Sequence, residues 1–95
     1  MRQLDWTAPA LADLREIEAW LSEHARPEIA LVTLLHIRRR ARFLEDFPHG
    51  GRPIAQASRV LRVIDTPHVI LYRLVDGAVQ ILRVQHERED WKVEP

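Results

Sequence analysis

The side chains able to do chemistry in this 95-residue chain are few and of restricted kinds. There is no cysteine, which removes a thiol nucleophile and any disulfide framework. Five histidines (His24, His36, His49, His68 and His86) are scattered without HxH or HxxxH spacing, so they do not read as metal ligands. Gly50 and Gly51 sit in the segment Pro48-His49-Gly50-Gly51-Arg52-Pro53. No Gly-Lys-Ser/Thr step follows it and no strand precedes it, so it is not a phosphate-binding loop. Tyr72 is the only tyrosine, Lys92 the only lysine, and thirteen of the fourteen basic residues are arginine. Arginine binds phosphates and carboxylates through a planar, bidentate fork, so the chemistry on offer is anion recognition. The run Arg38-Arg39-Arg40-Ala41-Arg42 splays over several directions on a helix and reads as a solvated face rather than one patch.

Formal net charge is zero, but it is unevenly distributed. Residues 1–30 carry three arginines against six acids, residues 31–83 nine against four, and residues 84–95 two basic groups against four acids. A positive middle between negative ends suits an acidic protein or nucleic acid, or simply a solvated charged surface. A hydrophobic share of 46% and a charged share of 29% are those of a globular domain. The length suits a single domain over residues 1–95. No apolar run approaches the roughly 20 residues of a membrane span, and no signal peptide is visible, so the expected location is cytoplasmic.

The elements that must position these groups follow from periodicity. Residues 3–6 alternate polar and apolar, as a short strand does, with Leu4 and Trp6 facing a core. Thr7 is an N-cap and Pro9 falls in the first turn of a helix running to about Ala25. Its apolar stripe is Ala10, Leu14, Ile17 and Leu21, with Asp13, Glu16 and Glu23 pointing away. Pro27 ends that pattern and starts a second helix that runs to about Phe47, before Pro48. Its inward stripe is Ala30, Leu34, Ile37, Ala41 and Leu44. Leu31, Val32, Leu35 and Phe43 fall outside it, so either the sheet wraps round this helix or a partner covers it. After a loop at 48–53, Arg59–Ile64, His68–Val75 and Ala78–His86 read as strands, the last two joined by a two-residue turn at Asp76-Gly77. The order is β-α-α-β-β-β: an α+β domain with an antiparallel sheet and a helical hairpin packed on one face.

This ordered set resembles the ParE/RelE toxin family. The match is carried by Leu4–Leu14, by Phe47-Pro48 with Gly51-Arg52-Pro53, by Leu61-Arg62-Val63 with Ile70–Arg73, and by Ile81–His86 with Asp90-Trp91. The resemblance implies a type II toxin neutralised by a ParD-like antitoxin whose C-terminal segment folds onto it. Leu31, Val32, Leu35 and Phe43 are then the antitoxin-binding residues. It implies no cofactor, metal or membrane attachment, and assigns sequence-specific DNA binding to the antitoxin rather than to this chain.

Two activities are known on this fold. The RelE-like branch cuts messenger RNA on the ribosome, which needs a general acid, a general base and cations around one phosphate. Its lysine-rich site is absent here, and Glu87 holds the position of its late tyrosine. A remnant set, Arg62, Arg83 and His86, lies on neighbouring strands. The competing reading is structural: His86 caps the last strand, and the two arginines pair with carboxylates such as Glu87 or Asp65. The ParE-like branch poisons DNA gyrase by binding, which makes His86, Arg88 and Trp91 the target-binding residues. Trp91 reads equally as a packing residue that pins the tail. Glu87 replaces a frequent glycine, and Pro67-His68 a frequent aromatic. The expectation adopted is a gyrase poison, with a ribosome-dependent endoribonuclease and a non-toxic antitoxin-binding protein as the alternatives.

Overall fold

The structure, a computed structural model, describes residues 2–88. Its elements are β1 (Leu4–Trp6), α1 (Ala8–His24), α2 (Pro27–Asp46), β2 (Arg52–Pro53), β3 (Ser58–Arg62), β4 (His68–Val75) and β5 (Ala78–His86). The Thr7 side chain accepts the Ala10 N–H at 3.2 Å and donates its own proton to the Leu82 carbonyl at 3.0 Å. One residue therefore starts α1 and fastens it to the last strand. Pro27 opens α2 after a two-residue break, which folds the helices back as a hairpin. Ala10 and Leu14 of α1, and Ala30, Ile37, Ala41 and Leu44 of α2, are buried as the periodicity predicts. All of these except Ala30 meet Leu61, Val63, Ile70, Tyr72, Val79, Ile81 and Val84 in one core. No helix among the described residues is long and apolar enough to cross a membrane.

The sheet order is β1-β5-β4-β3-β2. Strands β2 to β5 are antiparallel neighbours, but β1 lies parallel to β5, with Leu4 opposite Val79 and Trp6 opposite Ile81. The expected antiparallel sheet is thus corrected to a mixed one. A parallel pair needs a long crossover, and here the rest of the chain between β1 and β5 supplies it. The turn signals at 48–53 also conceal β2, two residues paired with Val60 and Arg59. Pro53 is tolerated there because an edge strand leaves one side unpaired. Asp76 and Gly77 both adopt positive φ, 50° and 81°, as the predicted tight hairpin requires.

A buried hydroxyl locks the loop to the sheet. Tyr72 is fully buried; its hydroxyl accepts the Gly51 N–H at 2.9 Å and donates to the Pro48 carbonyl at 2.8 Å. A Cβ on Gly51 would lie 2.7 Å from both the Tyr72 ring and the Val60 carbonyl, so glycine is required by close approach. Burial pushes the Tyr72 phenol above its ordinary pKa, partly offset by the Gly51 N–H and by Arg59, so the proton donated to Pro48 is retained at neutral pH. Tyr72→Phe is expected to cost about 1–3 kcal/mol in urea denaturation, because the buried Gly51 N–H loses its acceptor. In the wild type, a folded-state pKa above the unfolded value means that this group's contribution is intact below the ordinary tyrosine range. It is lost as pH rises beyond that range, and the substituted protein lacks that alkaline component.

Candidate functional site

Arg83 and Asp13 are seventy residues apart in sequence and meet at the edge of β5. Opposite Leu71 and Tyr72 the β5 register shifts, leaving Leu82 as an extra residue. Such a bulge re-aims the side chain beside it. The Arg83 guanidinium donates to both carboxylate oxygens of Asp13, at 2.8 and 2.9 Å. The Val84 N–H donates to the same carboxylate at 2.9 Å. Asp13 is 6% exposed, which overturns the expectation that it points to solvent. A buried carboxylate needs this many donors, and it ends the run of free backbone groups on the β5 edge beyond β1.

Arg62 faces elsewhere. Its guanidinium lies 3.3 Å from Glu87, on a groove of about 600 Å³ lined by Arg40, Arg52, Arg62, Glu87 and Arg88 over a floor of Val60, Leu61 and Val69. Arg83 and His86 line a different groove of about 680 Å³, between the hairpin and the far ends of β4 and β5. This second groove also holds Glu16, Trp20, Ile29, Asp65 and His68, so carboxylates and apolar groups dominate it. His86 opposes His68 across the strand pair, rings edge-on at 6.1 Å, and its Nδ1 accepts the Arg88 N–H at 3.1 Å. The three residues proposed as a ribonuclease cluster are therefore divided between two grooves, and each arginine is held by a carboxylate. Arg62 pairs with Glu87 and Arg83 with Asp13, a carboxylate that the sequence reading turns towards solvent.

The arginine run on α2 is not a plain solvated face. Arg40 Nε donates to the Arg62 carbonyl at 2.8 Å and its guanidinium stacks over the Phe43 ring at 4.7 Å. Arg38 lies over Trp6 at 5.7 Å. Residues two apart on a helix point in different directions and find different neighbours, which a run of identical letters hides.

On the outer side of α2, Leu31, Val32 and Leu35 are exposed by 62%, 50% and 48%. Ile29 continues the stripe and Trp20 of α1, stacked on His24, flanks it. Ile29, outside the inward stripe of α2, was not singled out in the sequence. Phe43 is half-buried against the core and stacks on the exposed Phe47 at 4.9 Å. Of the residues assigned to target binding, His86 is half-buried and Arg88 exposed, while Trp91 lies outside the described residues.

Residues 4–91 match the family model described as the ParE toxin of the type II toxin–antitoxin system parDE. The chain belongs to the ParE/RelE toxin family. It is 36% identical over 86 residues to Toxin RelE2 of Caulobacter vibrioides, covering 90% of this chain and 96% of that protein. Among solved structures it resembles the chromosomal ParDE toxin–antitoxin system of P. aeruginosa, with a TM-score of 0.82, 29% identity, and 90% and 96% of the two chains covered. It also resembles the RelBE2 toxin–antitoxin complex of Mycobacterium tuberculosis, with a TM-score of 0.62, 25% identity and the same coverage. Membership in this family makes the chain the toxin component of a type II toxin–antitoxin system.

The Arg83–Asp13 and Arg62–Glu87 ion pairs differ in energy because they differ in burial. Asp13→Ala is expected to lower stability by about 2–3 kcal/mol, since it strips a buried N–H and a guanidinium of their shared acceptor. Glu87→Ala is expected to change it by less than about 1 kcal/mol, because its partner is exposed. Urea denaturation midpoints check both, and equal effects would contradict this account.

Proposed function

We propose that this toxin arrests growth by binding DNA gyrase, and that a ParD-like antitoxin holds it inactive by covering the outer face of the helical hairpin. The observation that carries the gyrase reading is the separation of Arg62 from Arg83 and His86 into two grooves. Phosphodiester cleavage needs an acid, a base and cations converging on one phosphate. Here the arginines serve carboxylates instead, and an inhibitor that acts by binding has no such requirement. The family model, whose description is that of ParE, supports the same side. The target contact is assigned to the end of β5 and the tail beyond it, through His86, Arg88 and Trp91, a tryptophan being a frequent interface anchor.

The antitoxin contact is assigned to Leu31, Val32 and Leu35, extended by Ile29 and Trp20. Ile29, Val32 and Leu35 are spaced three apart and form a ridge that an amphipathic partner helix can cover. Phe43 contributes at the far end of α2 through its stack with Phe47. Similarity to structures of toxin–antitoxin complexes favours a partner of this kind.

A second reading has its own support, because the chain is also similar to a protein called Toxin RelE2. That reading is a ribosome-dependent endoribonuclease, with Arg62, Arg83 and His86 as its residues. A supercoiling assay with purified gyrase separates the two. Lost supercoiling or trapped cleavage complexes are expected, and an undisturbed gyrase alongside cut messenger in a translation reaction would replace this reading by the ribonuclease. Should both reactions run undisturbed, the chain is an antitoxin binder without toxicity.

The double substitution Leu31→Asp with Leu35→Asp tests the antitoxin surface. Each loss at an interface hot spot costs about 2 kcal/mol or more, so affinity for a co-expressed ParD-like antitoxin should fall by roughly a thousandfold. Thermal stability should stay the same, since both positions are exposed. Retained co-purification would remove this face from the interface.

A further inference from the structure

We propose that this chain self-associates through the outer face of α2, two copies packing their α2 helices antiparallel about a two-fold axis. The inference goes beyond the antitoxin contact assigned above and does not rest on it, because it stands on the order of charges along α2.

The stripe of α2 that faces away from the core runs Glu28, Val32, Leu35, Arg39 and Arg42, in alternating steps of four and three residues. That spacing is the heptad pattern by which one helix packs lengthwise against another. All five residues are exposed, while Ala30, Ile37, Ala41 and Leu44 on the opposite side of the helix are buried. Leu31 and Ile29, also exposed, flank the stripe and widen its apolar centre.

The two ends of the stripe carry opposite charge. Glu28 lies in the first turn of α2, Arg39 and Arg42 lie towards its end, and Val32 and Leu35 stand between them. Turned end over end about the midpoint between Val32 and Leu35, the stripe becomes its own complement. Each Val32 then meets the second copy's Leu35, and each Glu28 meets the second copy's Arg39. Every contact occurs twice, as a two-fold interface requires. A parallel arrangement would set one copy's Glu28 beside the other's Glu28 and Arg39 beside Arg39, and like-charge repulsion opposes it.

Neither charge is used inside the chain. Glu28 and Arg39 enter no ion pair among the described residues. They stand about 16 Å apart along the helix, at its rise of roughly 1.5 Å per residue, so they cannot reach one another. One step inward from each on the stripe are Val32 and Leu35, which offer no charge to pair with. Their signs do complement the helix dipole. The dipole, however, makes no demand that both charges share the one outward stripe with apolar residues between them. Pairing of the two copies takes Leu31, Val32 and Leu35 out of water, which the isolated chain leaves exposed. On the antitoxin assignment made above, a second copy and the antitoxin then exclude one another.

Sedimentation velocity of the full chain without antitoxin, from roughly 1 to 100 µM, tests the proposal. One pair of helical stripes makes an interface at the small end of stable ones, so a dimer that dissociates in about the micromolar range is expected. Glu28→Arg and Arg39→Glu, each alone, bring like charges together at both ends and should weaken the dimer by at least about tenfold. An equimolar mixture of these two variants should restore a dimer of wild-type strength, because each end then joins opposite charges. The double substitution Glu28→Arg with Arg39→Glu should restore it as well. Melting curves recorded below the dissociation range should coincide, which establishes that the variants are folded. The proposal is overturned if the wild type sediments as a monomer throughout, if either single variant dimerises as the wild type does, or if the mixture and the double variant stay monomeric. A monomeric wild type that binds a ParD-like antitoxin would leave this face to the antitoxin alone.

Discussion

The buried carboxylate of Asp13 is the contact around which this toxin is organised. It sits one turn into α1, among apolar neighbours, and takes a backbone N–H and two guanidinium donors from β5. A carboxylate removed from water is tolerable only with donors of this number and quality. The requirement fixes where α1 crosses the sheet, and with it the whole hairpin, because Thr7 holds the start of the same helix to Leu82. It also occupies the β5 edge just where β1 ends, so the sheet does not extend there by pairing with another strand.

The same contact divides the surface. With Arg83 drawn towards α1, it stays apart from Arg40, Arg52, Arg62 and Arg88, which line one groove beside β3. The other groove keeps Asp13, Glu16 and Asp65 beside His68 and His86. A formally neutral chain thus presents two faces of opposite character on either side of the end of β5. Electrostatic complementarity of this kind orients an encounter and rejects wrong partners more than it adds affinity. Leu31, Val32 and Leu35 on the outside of α2 form an exposed apolar ridge of a different kind, and covering apolar surface is where interfaces in general gain their energy.

Much of the fold was legible in the sequence because it rests on local rules. Helix positions followed from stripes at helical spacing, from Thr7 and from two prolines. The β4–β5 hairpin followed from Asp76-Gly77. The exposed ridge on α2 was visible as apolar residues that the inward stripe could not absorb. The two-residue β2 was not legible, since its only signals, Arg52-Pro53 beside two glycines, are those of a loop. Asp13 was misread for a related reason. A charged residue on an amphipathic helix normally faces water, and nothing within reach along the chain announces a partner seventy residues away.

By itself, then, the sequence determined the order of the elements other than β2, the inward stripes of both helices, the tight hairpin and the family. Each of these depends on residues within a few positions of one another or on their ordered succession. The tertiary structure alone decided the parallel placement of β1 beside β5, the pairing of Arg83 with Asp13, and the division of Arg62 from Arg83 and His86 into separate grooves. Those depend on a bulge at Leu82 and on a helix crossing a strand edge, and strand neighbours in sequence say nothing about which way a bulged side chain turns.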